Sequence, residues 1–329
     1  MLLVVSTTQA LFALDPVRRE LFEIDRGRGV YYGIAYSPTR VYVAARRSPY
    51  GVDHAARAAQ RAVIIEFDTD LNELGVLEPP FPLRDVHQIH FGLGRLWVCC
   101  THDDMLATWD GETWDRWHPA GLPDPMDTPE GPTTDLHHFN SVRSDGRTID
   151  VLANKAATGT IHRFRAHDLA PLDRIDLGQG AHNVWREGDD LYTLSSKDGR
   201  LLSTAGVDLP FGGFVRGVVC PPRETGLDRF VGVSCRAPRE IRPTSDATLV
   251  RCDPDWNVLD EFPIHREGMI HDVRAPGTPD LGHPEVLGEP VRRDALLARC
   301  SPRRVPTWPI RLPSGEVPEP AERVDLHRA

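Results

Sequence analysis

The sequence predicts an all-β fold, a six-bladed β-propeller whose last blade is closed by N-terminal strands plus a C-terminal inner strand. Three observations predict it. Six short apolar segments recur along the chain, each ending in a small residue. Each is followed by another strand-like segment and a turn. The first unit lacks the strand that precedes the other five, and a spare copy of that strand lies near residue 271. Self-similarity of this kind marks repeat architectures, in which each unit buries its faces against its neighbours.

The recurring segments are the second strands of the blades: LLVVS (2–6), VYVAA (41–45), LWVCC (96–100), IDVLA (149–153), LYTLS (191–195) and FVGVS (230–234). They are rich in β-branched and aromatic residues, as strands are. Third strands follow as ALFALD (10–15), AVIIEFD (62–68), MLATWD (105–110), TIHRFR (160–165), RLLSTA (200–205) and ATLVRCD (247–253). First strands precede five of the six units: YYGIAY (31–36), VHQIHF (86–91), FNSVRS (139–144), AHNVWR (181–186) and FVRGVV (214–219). MIHDVR (269–274) is the spare, and pairing it with the N-terminal strands completes a sixth blade. Closure of this kind removes exposed sheet edges.

Composition agrees with this reading. The chain has 329 residues, of which 40% are hydrophobic and 26% charged, with 27 glycines and 29 prolines to supply turns. Residues 1–275 are assigned to the propeller and 276–329, richer in proline and charge, to an irregular tail packed on it, with a short helix expected after Pro290. Residues 48–61 and 236–246 read as insertions between second and third strands. The net charge of −10 argues against nucleic acid or an anionic membrane as partner. No apolar run approaches the ~18 residues of a membrane span. The six cysteines form no CxxC pair, and no basic stretch precedes the apolar N-terminus, so a cytoplasmic protein with reduced thiols is expected. Oligomeric state is not legible.

Alignment of the blades also points to a site. Nine residues separate Tyr32 from Val41, His87 from Leu96, Asn140 from Ile149 and His182 from Leu191. Arg216 and His271 occupy the equivalent place in the two remaining blades. Inner strands line a propeller's channel, so these six residues are expected to ring its mouth, with Ile34, Ile89, Val142, Val184, Val218 and Val273 forming an apolar plug below. His87, His182 and His271 fall on alternate blades and converge. Three neutral imidazoles with an open fourth position suit one divalent metal ion, zinc first and iron or copper as alternatives. His138 is a candidate fourth ligand, and Gln88, Asn183 and Asp272 are expected to orient the rings. Tyr32, Arg216 and Asn140 are the candidate catalytic residues, Tyr32 moving a proton and Arg216 holding a carboxylate or an oxyanion. Six positions beyond each second-strand start lie Thr8, Arg47, His102, Lys155, Lys197 and Arg236, a set that includes both lysines of the chain. Arg47, His102, Lys155, Lys197 and Arg236 are read as a basic rim that binds an anionic substrate. GxSxG, HExxH, P-loop and GxGxxG motifs are absent.

With these blades the chain resembles the six-bladed propellers of the NHL-like and SMP-30-like group, over about residues 1–275. In that group, gluconolactonase-type members hold a divalent ion on carboxylates and asparagines, where this chain has His87, His182 and His271. The site is more similar to that of peptidyl-α-hydroxyglycine amidating lyases. That resemblance implies a zinc on three channel histidines, with an arginine and a tyrosine doing the chemistry. The resulting expectation is a metal-dependent lyase or hydrolase acting on a small anionic or peptide-derived substrate. The alternatives are an iron- or copper-dependent oxidative enzyme using the same histidines, and a non-catalytic propeller binding a protein or ligand on its top face.

Overall fold

The computed structural model describes residues 1–47, 58–119, 135–154, 158–238 and 240–307. The N-terminal strands β1 (Leu3–Thr7), β2 (Ala10–Asp15) and β3 (Glu20–Arg26) are three members of one blade. Five four-stranded antiparallel blades follow: β4–β7 (Val30–Tyr36, Val41–Arg46, Ala62–Phe67, Glu73–Leu77), β8–β11 (Val86–Gly92, Arg95–Cys100, Met105–Trp109, Trp114–Trp117) and β12–β15 (Phe139–Ser144, Thr148–Ala153, Thr160–Arg165, Pro171–Asp176) are the first three. The other two are β16–β19 (Ala181–Glu187, Asp190–Ser195, Arg200–Ser203, Asp208–Pro210) and β20–β23 (Phe214–Val219, Arg229–Ser234, Ala247–Cys252, Val258–Ile264). Strand β24 (Ile270–Arg274) then pairs with β1 and closes the ring, as the sequence predicts.

Each inner strand carries a register shift at the ring position: between Tyr31 and Ile34, Val86 and Ile89, Phe139 and Ser141, His182 and Val184, Val215 and Val218, and opposite Ser6–Thr7 at His271. A bulge inserts an extra residue and re-aims side chains. The bulged positions hold the pairs Tyr32–Gly33, His87–Gln88, Asn140–Ser141, His182–Asn183, Arg216–Gly217 and His271–Asp272. In several of these pairs the second residue clasps the next blade. Gln88 Oε1 accepts from the Val142 N–H (3.3 Å), Ser141 Oγ from Asn183 (2.8 Å), Asn183 Oδ1 from Gly217 (2.9 Å) and Asp272 Oδ2 from Ile34 (3.0 Å). At the two remaining junctions the residue is glycine. A Cβ on Gly33 would lie 2.3 Å from the Ile89 nitrogen and one on Gly217 2.9 Å from that of Val273, so only glycine allows the backbones this close. Gln88, Asn183 and Asp272 therefore join blades instead of orienting the rings.

The expected apolar plug is also corrected. Ile34, Ile89, Val142, Val184, Val218 and Val273 are buried, but in the clusters where each blade packs on its neighbour. Propeller sheets turn their faces to adjacent blades, so alternation along an inner strand points between blades and not at the axis. The far end of the channel is sealed by residues 280–283. The Leu281 N–H donates to the Cys220 carbonyl (2.8 Å), and Arg143 Nε donates to the Leu281 carbonyl (2.8 Å). His283 Nε2 accepts from the backbone N–H groups of Tyr36 (3.3 Å) and Phe91 (3.4 Å), and its ring stacks on Tyr36 at 3.9 Å. Beyond this seal, Leu287, Val291 and Leu296 join the core between the closing blade and the next. Leu296 lies in the short helix α1 (Arg293–Leu297), and β25 (Arg303–Arg304) pairs with β3. No helix among the described residues is long and apolar enough to cross a membrane.

Candidate functional site

The ring residues meet in a buried polar chamber at the end of the axis opposite the seal. Tyr32 lies at its centre: its ring stacks on His271 (centroids 4.2 Å) and approaches His87 (5.2 Å). His87 faces His182 with nearly parallel rings 6.3 Å apart, and His138 meets His87 edge-on at 5.3 Å. The guanidinium carbons of Arg46 and Arg216 stand 3.8 and 4.9 Å from the Tyr32 ring centre. Asn140 is fully buried and donates from Nδ2 to the Ala181 carbonyl (2.9 Å), which ties it to the next blade.

Hydrogen bonds set the tautomers. Thr101 Oγ1 gives its proton to the Phe139 carbonyl (2.6 Å), so at 2.7 Å from His87 Nδ1 it acts as acceptor. The Asp85 carbonyl, 3.0 Å from the same nitrogen, can only accept. Arg46 Nη2, which can only donate, lies farther from this nitrogen at 3.3 Å and is engaged by the Asp85 carboxylate. The two closer acceptors place the His87 proton on Nδ1 and leave the lone pair on Nε2. The same logic holds at His182, where Ser196 Oγ lies 2.8 Å from Nδ1 and donates to the Val215 carbonyl at 2.5 Å. His138 Nδ1 faces Asp135 Oδ1 at 2.7 Å, again leaving Nε2 as the acceptor nitrogen. His271 is different, since its Nε2 lies 3.1 Å from Thr8 Oγ1.

Burial, followed by the positive charge of nearby arginines, pushes the pKa of His87, His182 and His271 well below the ordinary histidine range. Arg216 acts on all three, and Arg46 on His87 and His271. The imidazoles are thus neutral. Arg46 is ion-paired with Asp85, and both are buried.

The second ring falls elsewhere than expected. By strand register, Thr7, Ala45, Cys100, Ala153, Ser195 and Val233 are equivalent, each pairing with the residue just before a bulge. The residues that follow them are Thr8, Arg46, Thr101, Asn154, Ser196 and Ser234. Thr8, Thr101 and Ser196 hold His271, His87 and His182, and Arg46 covers Tyr32. Outside blade five the ring set lies one residue before the aligned one, with only Thr8 in common. His102 is buried in the turn after β9, not on a rim. Arg47 is exposed and paired with Glu78. Lys197 and Arg236 are exposed, and Lys155 lies outside the described residues. Arg46 was legible in principle: it follows Ala44 by two residues on the face that packs with Tyr32.

The donor set suits a borderline divalent metal, because Nε2 lone pairs of His87 and His182 face one chamber while their Nδ1 groups are held. Two imidazoles on one tetrahedral zinc place their ring centres roughly 5.5 Å apart at a Zn–N distance of about 2.0–2.1 Å. The His87–His138 spacing matches this, and the His87–His182 spacing is wider. As placed, no group of three or more His, Cys, Asp or Glu among the described residues forms an assembled metal cluster.

Fold and site together define an all-β, six-bladed propeller with a histidine-rich chamber at one end of its axis. No protein-family model matches the chain, and no curated protein does. Solved structures match the fold. A protein of unknown function from Bacteroides caccae is 12% identical, with TM-score 0.54 over 83% of this chain and 97% of that one. The nidogen/laminin complex matches at 11% identity and TM-score 0.52, over 83% and 97%. A protein from Bacteroides uniformis proposed to be a 6-phosphogluconolactonase matches at 10% identity and TM-score 0.50, over 83% and 98%. Similarity at this level speaks for the propeller alone.

Proposed function

We propose that the chamber is the active site of an enzyme that acts on a small anionic or peptide-derived molecule with one divalent metal ion held by channel imidazoles. The observation that carries this reading is the shared tautomer of His87 and His182. Both spend the Nδ1 proton on fixed acceptors, which leaves a lone pair on each Nε2. Zinc is the first candidate, iron or copper the alternatives. When bound, the ion would polarise a substrate oxygen or activate a water. Arg216 holds the substrate carboxylate or phosphate, its charge being close enough to depress all three histidines. Tyr32, stacked on His271, delivers or accepts a proton as the substrate reacts. Exposed Lys197 and Arg236 raise the local concentration of anions. Lyase or hydrolase chemistry follows from a redox-silent ion.

The test is the metal content of protein purified without a histidine tag, for wild type and a His87→Ala/His182→Ala variant. About one equivalent in wild type, lost in the folded variant, is the expected result. Wild type that binds no zinc, iron or copper after reconstitution overturns the reading. Arg216→Gln is a second check. Removing a cation from beside the site raises zinc affinity in anion-free buffer on the order of tenfold, while weakening the binding of a carboxylate.

A further inference from the structure

We infer that residues 276–287 form a plug that lifts from the axis as a unit when acid protonates His283, opening the seal end of the channel below neutral pH. The segment is an Ω-shaped loop. Its ends are tied together by the Leu287 N–H, which donates to the Pro276 carbonyl (2.9 Å), and the Gly288 N–H donates to the Pro38 carbonyl (2.7 Å). A loop closed on itself in this way can lift without dragging the chain on either side, and such loops are frequently functional. Its tip, turned by the His283 N–H on the Asp280 carbonyl (2.9 Å), reaches all six inner strands. His283 Nε2 accepts from Tyr36 of β4 and Phe91 of β8, and the Leu281 carbonyl accepts from Arg143 of β12. Leu281 packs into the cluster of Trp185 from β16. Asp280 accepts from the Cys220 N–H just after β20 (3.3 Å) and lies 3.8 Å from Arg274 of β24.

His283 makes this closure depend on pH. Its Nδ1 donates to the Glu285 carbonyl (3.3 Å), so Nε2 can accept only while the ring is neutral. A proton on Nε2 would face two backbone donors. The surroundings offer that proton no compensation. Tyr36 of β4 stacks on the ring, and His90 of β8 stands 5.0 Å away. Arg143 and Arg274 are the nearby cations. The carboxylates are already engaged, Asp280 by the N–H groups of Cys220 and Gly282 and Asp272 by those of Ile34 and Val273. Burial, followed by the charge of Arg274, holds the His283 pKa well below the ordinary range. In water the ring takes up a proton near pH ~6.5, so below that pH opening is favoured by up to about tenfold per pH unit. Burial also raises the pKa of Asp280 and Asp272, which opposes opening, but from the carboxylate range, below the window in which His283 acts. Among the described residues, the Tyr36 hydroxyl, His90 Nδ1, Trp185 Nε1 and Asp280 Oδ2 are buried at the plug with no hydrogen-bond partner. Water that enters on opening satisfies them, which makes local opening easier than unfolding of the ring.

Amide hydrogen exchange between about pH 7.5 and 5.5, corrected for the intrinsic pH dependence of exchange, tests the plug. The probes are the N–H groups of Tyr36, Phe91, Leu281 and His283, which the plug holds or carries. The N–H groups of Val142 and Gly217, held by clasps between blades, report unfolding of the whole ring. The plug amides are expected to open more often than the clasp amides at every pH, with an opening constant that rises about tenfold across the range. His283→Gln keeps a carbonyl acceptor that does not titrate, and in it the rise is expected to disappear. Plug amides that exchange no faster than the clasp amides overturn the inference, because the loop then leaves only with the whole fold. A wild-type opening constant that does not change with pH overturns it too, as does a folded His283→Gln protein that keeps the rise. The two wild-type comparisons decide the question even where the variant does not fold.

Discussion

At the residue scale, the chamber and the seal depend on histidines held neutral. His87, His90, His182, His271 and His283 all have pKa values pushed well below the ordinary range, burial being the largest cause in each. His90 shows the structural reason, since its Nε2 accepts from the Ser144 backbone N–H at 3.1 Å. The unfolded chain takes up these protons near pH 6.5 and the fold refuses them. Stability is therefore complete above about pH 6.5 and falls as pH drops below it, each such histidine contributing a slope of up to about 1.4 kcal/mol per pH unit. The urea midpoint is expected to be flat from pH 8 to 7 and clearly lower at pH 5.5. A midpoint unchanged at pH 5.5 would mean that these rings are protonated in the fold.

At the scale of elements, the bulge in each inner strand divides the labour between two neighbouring residues. The first reaches the chamber and the second binds the next blade. Asp272 carries the heaviest duty, because it accepts from the Ile34 and Val273 N–H groups and lies 3.4 Å from the buried Arg274 guanidinium. Asp272→Ala strands two backbone donors and takes one of two carboxylates from the buried Arg274, and is expected to cost about 3–5 kcal/mol in denaturant unfolding. Asp70→Ala, which removes a surface pair with Arg292, is expected to cost no more than about 1 kcal/mol. Equal losses for the two would show that the clasp contributes nothing beyond an exposed ion pair.

At the scale of the molecule, the ring is closed by the pairing of β1 with β24, with Ser6 hydrogen-bonded to a residue 266 positions away. Contacts of such separation cost the most loop entropy and form late. Ile270 is fully buried in this seam. Ile270→Ala is expected to cost about 2–5 kcal/mol and to accelerate unfolding while leaving the refolding rate nearly unchanged. A refolding rate that falls in proportion to the lost stability would place the seam in the folding nucleus instead.

Much of this architecture is legible along the chain. Strand positions, blade number, the closing pair and the membership of the six-residue ring all follow from period-two patterning and the spacing of small residues. Those signals arise from local burial and survive without knowledge of neighbours. The second ring was misplaced because each inner strand carries a bulge, which changes the residue of the second strand that lies beside the ring position. Side-chain direction was likewise out of reach. That His87 and His182 present Nε2 to the chamber while His271 turns its own to Thr8 depends on hydroxyls and carbonyls from other strands. The seal of residues 280–283 is held by blades distant in sequence. The sequence by itself determined the propeller and the residues that ring its axis; the tertiary structure decided where those residues point, because hydrogen-bond partners are chosen by proximity in space.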